Sequence, residues 1–228
     1  MIEKMQVEVW SDIMCPFCYI GKKKFEIALK QFQHKENVKV VWKSYQLMPE
    51  FESGKAKKLE KLLIEEKGIS QDQIIEMNAH VIQIGEKVGI DFHFDKVYAS
   101  NTLQAHRFIH FAKQYDKQNE AQEILFNSFF TEGKNVDDKS VLVQLGKKIG
   151  LDTVELQFVL ENELYQDVVD TDIQEAQKIG IQGVPFFIFN KSEYVSGARD
   201  SSLFLTVLEE TYAEWNKKIP ENTLMIES

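Results

Sequence analysis

The 228-residue chain is poor in cysteine, in net positive charge and in long apolar runs. Basic residues number 27 against 36 acidic ones, a formal net charge of -9. That balance argues against broad binding to nucleic-acid phosphates. No segment is apolar for long enough to span a membrane. The start, Met1-Ile2-Glu3-Lys4-Met5, carries an early acid and no long apolar stretch, so no secretion signal is expected and the cytoplasm is the expected location. No nicotinamide or flavin fingerprint is present. The spaced glycines and lysine of a phosphate loop are missing too, and Gly146, Gly150, Gly180 and Gly183 suit helix ends and turns instead. There is no repeat of fixed period and no low-complexity tract.

Only two cysteines occur, and they stand together in "WSDIMCPFCYIGKKKFEIAL", at Cys15 and Cys18. Structural zinc usually takes four ligands, often two cysteine pairs or a pair with two histidines. Of the five histidines only His106 and His110 share helical i, i+4 spacing, so a metal is not expected. In the cytoplasm a close cysteine pair is catalytic or metal-binding more often than structural. Two incidental buried thiols would not account for Pro16 or for the placement described next.

The pair sits where a strand turns into a helix. "QVEVWS" alternates, with Val7 and Val9 on one face and Glu8 and Trp10 on the other. "FEIALKQF" then has Phe25, Ala28, Leu29 and Phe32 at helical spacing, and the run Lys22-Lys23-Lys24 reads as a solvated helix face. Val38 to Met48 reads as a second strand. Strand, helix, strand makes a βαβ unit with parallel strands. Pro16 suits the first helical position, which makes Cys15 the cap residue. Its sulfur would face free backbone N–H groups, including that of Cys18, and the positive end of the helix, all of which favour a thiolate. Cys18, one turn inside, would be more buried. Cys15 is therefore the expected nucleophile and Cys18 the resolving thiol, with Asp12 a mild opposing charge.

After Met48 a polar connector, "FESGKAKK", leads into more than a hundred residues of helical pattern. Ser70 and Ser100 stand as N-caps, Gly89 and Gly180 as ends. "VPFFIFN" (Val184 to Asn190) is a buried strand, "NKS" a turn, "EYVSG" a short strand, and "DSSLFLTVLEETYAEWNKK" a final amphipathic helix. Proline is tolerated at the start of such a strand. For Val184-Pro185 a trans bond is the default, since about one X-Pro bond in twenty is cis.

The CxxC at a strand-to-helix junction, the βαβ start, the helical interruption and the Val-Pro-led ββα end resemble the thioredoxin superfamily, in the branch of the disulfide oxidase DsbA. "VEVWSDIMCPFCYIGKKKFE" and "NTLQAHR" (Asn101 to Arg107) further resemble its FrnE subgroup of dithiol-disulfide isomerases. The resemblance covers nearly the whole chain. It implies an α/β thioredoxin fold over residues 1–50 and 181–228, interrupted by an all-helical insertion over 51–180.

The resemblance also implies a redox pair at Cys15 and Cys18 and a cis-proline at Pro185. The Val184 backbone would then face Cys15, positioned to pair with an extended substrate strand. Phe17, His106 and Arg199 join Val184 and Pro185 as candidate substrate-binding residues, a plain surface position being the alternative for Arg199. For Asn101, Thr102, His106 and Arg107, helix packing against the adjoining loop is the equal alternative. Phe17 stands where the subgroup usually has Trp, and Gly197-Ala198-Arg199 where it has Gly-Ala-Gln. Residues between the cysteines tune thiolate against disulfide, so the direction of electron flow is left open. The expected activity is thiol-disulfide exchange with protein or small-molecule partners, glutathione being a candidate co-substrate and no bound cofactor being needed. Two alternatives stand beside it: a glutathione-dependent isomerase or transferase resembling the kappa class, and a peptide-binding chaperone or adaptor. The helices carry enough apolar surface to support a homodimer.

Overall fold

The computed structural model describes residues 4–217. The first three residues, Lys218 and the end of the 181–228 segment lie outside the described residues.

The chain opens with β1 (Met5–Ser11), α1 (Pro16–Gln31) and β2 (Val38–Ser44). As expected, β1 and β2 are parallel, in register from Met5 opposite Val38 to Ser11 opposite Ser44. The second strand is shorter than its composition suggests. It stops at Ser44 because β1 stops at Ser11, and the backbone N–H of Leu47 then turns to the carboxylate of Asp12 at 2.7 Å.

The insertion runs through β3 (Lys57–Lys58), α2 (Leu59–Lys67), α3 (Gln71–Glu86), β4 (Tyr98–Ala99), α4 (Leu103–Lys113), α5 (Gln118–Phe130), α6 (Lys139–Lys148), α7 (Thr153–Glu161) and α8 (Gln166–Ile179). It is not purely helical, since β3 and β4 form a minimal antiparallel ribbon. Ser70 caps α3 through a full capping box with Gln73. Ser100 does not cap α4. Thr102 holds that position, and the side chain of Asn101 takes the Leu103 N–H at 2.8 Å.

The end of the described chain is β5 (Phe186–Phe189), β6 (Glu193–Ser196) and α9 (Ser201–Lys217). The four-stranded sheet runs β2-β1-β5-β6, with β5 antiparallel to both neighbours. Pairing Val9 with Phe187 and Val7 with Phe189 gives one sheet face an apolar surface. Phe25 of α1 and Phe204 of α9 close on it, their rings 5.5 and 4.7 Å from that of Phe187. Phenylalanines at such separations bury large areas and prefer tilted geometry. The opposite face carries Trp10, Phe186 and Ile188, and α8 covers it through Ala176. The Trp10 indole N–H donates to the Asp172 carbonyl at 3.0 Å.

Lys22 departs from its expected solvated setting. It is buried, with Nζ 2.6 Å from Glu26 and 2.7 Å from Glu123, so it ties α1 to α5. A buried ammonium needs such partners.

Candidate active site

Cys15 is the N-cap of α1, in extended backbone, with Pro16 at the first helical position as expected. The cap works through the backbone. The Cys15 carbonyl accepts the Cys18 N–H at 3.0 Å, while the sulfur makes no bond to the helix N–H groups. Instead Cys15 Sγ approaches the Val184 carbonyl oxygen at 3.6 Å. The expected sulfur-to-N–H contact is thus corrected, because the cap carbonyl already serves that donor and the side chain turns across to the opposite loop.

The Val184–Pro185 bond is cis, as the resemblance implied and against the default for an isolated X-Pro pair. Pro185 rests on α1 at Gly21. A β-carbon at Gly21 would stand 2.9 Å from Pro185 Cγ, so only glycine leaves room for this contact.

Both thiols are largely covered, Cys15 at 6% exposure and Cys18 at 1%. The difference matters because Cys15 opens on a groove of about 380 Å³ and Cys18 does not. Burial is the main influence pushing the Cys18 thiol well up from its ordinary value, and the adjacent Cys15 adds to it. The backbone of Asp12 and the hydroxyl of Ser11 pull in the other direction with less effect. Cys18 therefore stays protonated until a neighbouring event removes its proton.

The groove is apolar. Met14, Phe17 and Leu47 supply its near wall, and Leu62, Met77 and Phe94 of the insertion its far wall. Phe17 is 43% exposed, an apolar ring left facing solvent beside the thiol. Lys67 and Asn78 are the polar residues of the lining.

Cys15, Cys18, Phe17, Val184 and Pro185 thus gather at one place. His106 and Arg199 do not line the groove. Arg199 is exposed, its Nε donating to the Ser196 carbonyl at 3.1 Å. His106 is 1% exposed and lies behind the cysteine loop, with Nε2 at 3.4 Å from Asp12 Oδ1.

Asn101 and Arg107 of the "NTLQAHR" segment bond to backbone carbonyls. Asn101 Nδ2 donates to the Phe51 carbonyl at 2.6 Å. Arg107 donates to the carbonyls of Val159, Leu160 and Leu164 around the end of α7, where a cation suits the helix dipole. His110 turns to Asp172, 3.1 Å away, so the two histidines serve different carboxylates. Among the described residues no group of three or more His, Cys, Asp or Glu is placed to hold a metal. No helix among them is long and apolar enough to cross a membrane.

The wall contributed by α2 and α3 was not visible in the sequence, since Leu62 and Met77 lie far from the cysteines in the chain. The hold of Asp12 on Leu47 was missed as well. The only signal for it was an acid three residues before Cys15.

Residues 6–209 match the DSBA-like thioredoxin domain. The chain belongs to that family. Within it, this DSBA-like chain is 31% identical over 202 residues to the uncharacterised protein YwbO of Bacillus subtilis, a match spanning 88% of this chain and 94% of that one. Its fold superposes on the probable DsbA oxidoreductase SCO1869 of Streptomyces coelicolor with a TM-score of 0.88 at 32% identity, over 95% of this chain and 92% of the other. A likeness of fold alone extends to the cytosolic disulfide reductase DsbM of Pseudomonas aeruginosa bound to GSH, at TM-score 0.61 and 14% identity, covering 93% and 98%.

Proposed function

We propose that this DSBA-like protein is a thiol-disulfide oxidoreductase of the FrnE type, with Cys15 as nucleophile and Cys18 as resolving thiol. The observation that carries the reading is the asymmetry of the pair. Cys15 opens on an apolar groove, while Cys18 lies behind it with its thiol held protonated by burial.

The chemistry follows from that arrangement. The Cys15 thiolate attacks one sulfur of a substrate disulfide. A mixed disulfide forms, and the other substrate sulfur leaves as a thiolate and takes up a proton. Cys18 then loses its proton and attacks the Cys15 sulfur. The Cys15–Cys18 disulfide forms and the second substrate sulfur leaves as a thiolate. Run in reverse, the same steps donate a disulfide to a substrate dithiol. The Val184 carbonyl, beside the reacting sulfur, would accept an N–H from an extended substrate chain. Protein disulfides with apolar flanks suit the groove, and glutathione is a candidate for closing the cycle. A cytoplasmic setting belongs to the same proposal, since there a close cysteine pair serves catalysis rather than stability.

The test is the reduction potential of the pair, measured in glutathione buffers with free thiols counted by alkylation and mass. A value of about -270 mV identifies a reductase, and one of about -120 mV a donor of disulfides. No intramolecular disulfide at any poise would refute the redox reading and favour a non-redox isomerase or a peptide-binding role.

A further inference from the structure

Asp12 and His106 form a buried pair that no step above uses. Asp12 is fully buried, and a buried carboxylate needs donors. Its Oδ2 accepts the Leu47 N–H at 2.7 Å, and its Oδ1 has a longer contact with the Met14 N–H at 3.5 Å. Its backbone carbonyl accepts the Cys15 N–H at 3.1 Å. One residue thus holds the cysteine loop to the segment after β2. The remaining neighbour is His106 Nε2, 3.4 Å from Oδ1, which is itself buried and has no hydrogen-bond partner. An imidazole kept dry against the carboxylate that holds the cysteine loop is costly unless the charges balance.

We propose that Asp12 and His106 are positioning residues that set the reduction potential of the Cys15–Cys18 pair: the carboxylate fixes the cysteine loop and presents a negative charge to it, and the imidazole compensates that charge. This rests on the redox reading above. A nearby negative charge disfavours a thiolate, and so the reduced pair, relative to the uncharged disulfide. His110, one turn along α4 from His106, is engaged with Asp172 of α8. Arg107 turns away to the end of α7.

The exchange read is Cys15–Cys18 disulfide plus two glutathione thiols giving the two cysteine thiols plus glutathione disulfide. Asp12→Asn is expected to shift its equilibrium about tenfold toward the reduced protein, which is about 30 mV for this two-electron couple. His106→Gln is expected to shift it the other way, and the double variant to match Asp12→Asn alone. Equilibria within twofold of wild type, with lost stability as the only effect, overturn the proposal.

A second readout needs no variant. Coupling is reciprocal, so the His106 ring titration, followed by NMR, must differ between reduced and oxidised wild-type protein. Identical titrations overturn the proposal. If the disulfide never forms, the redox reading itself falls, a failure distinct from an unchanged potential.

Discussion

Cys15 Sγ and the Val184 carbonyl oxygen lie 3.6 Å apart, joined across 169 positions of sequence. This contact brings the two ends of the thioredoxin-like fold together at the Cys15 sulfur. It also leaves Cys18 behind Cys15, shielded from the groove.

That order of burial predicts different fates for the two cysteine variants. Cys15→Ser abolishes exchange. Cys18→Ser retains the first attack and accumulates a mixed disulfide between Cys15 and substrate, because nothing resolves it. Mass spectrometry after mixing with a disulfide-bonded peptide distinguishes the two. A trapped adduct on Cys18 in the Cys15→Ser variant would reverse the assignment.

Phe17 tests the groove separately from the chemistry. Its half-exposed ring has apolar area to bury against a substrate. Phe17→Ala is expected to lower kcat/KM about tenfold for peptide disulfides with apolar flanks, the effect of losing part of a ~1.5–3 kcal/mol burial. Reaction with a small polar disulfide serves as the control and should change less than twofold. Equal losses on both substrates would place Phe17 in tuning the thiols rather than in binding.

Gly21→Ala sets two effects against each other. Alanine is better than glycine in a helix interior by about 1 kcal/mol. The added methyl would stand 2.9 Å from Pro185 Cγ, however, and overpacking of this kind costs about 1–3 kcal/mol. The expected result is a net loss of about 1 kcal/mol and slower exchange, read from urea midpoints at constant slope and from turnover. A stabilised variant would mean that Pro185 yields easily.

Stability should fall on the acid side. Burial alone would raise Asp172, but the His110 ring, the Ser44 N–H and Lys43 outweigh it and hold the carboxyl below its ordinary value of 3.8. Burial would likewise raise Glu123, and Lys22 and Lys23 hold it below 4.5. Each native carboxyl binds its proton less readily than the unfolded chain does. The stability they contribute is therefore complete above those ordinary values and is lost as the pH falls through the lower native ones. Urea midpoints from pH 7 to pH 2 should decline below about pH 4. Asp172→Asn should lower the stability at pH 7 by about 2 kcal/mol, seen as a lower midpoint, and flatten the acid limb. An unchanged acid limb would contradict this.

Much of the architecture was legible because it is local. Alternation marked β1, Pro16 marked the start of α1, and Ser70 as an N-cap marked the start of α3. The CxxC junction located the cysteine pair. Other features were set by partners distant in the chain. The end of β2 depends on where β1 ends and on Asp12 taking the Leu47 N–H. The start of α4 depends on Asn101, which also bonds to Phe51. The polar pattern of α2 hid Leu62, whose burial arises only against its neighbours.

By itself the sequence determined the order of the main strands and helices and the place of the cysteine pair at a strand-to-helix junction, because propensity, capping and hydrophobic period act within a few residues, while the resemblance alone implied that Pro185 faces the pair. The tertiary structure alone decided that Cys15 turns to Val184 rather than to its own helix, that Lys22 is buried, and that His106 lies behind the cysteine loop against Asp12 instead of in the groove. Those outcomes hang on desolvation and on which donors and acceptors remain unpaired once distant segments pack, and no local pattern encodes that competition.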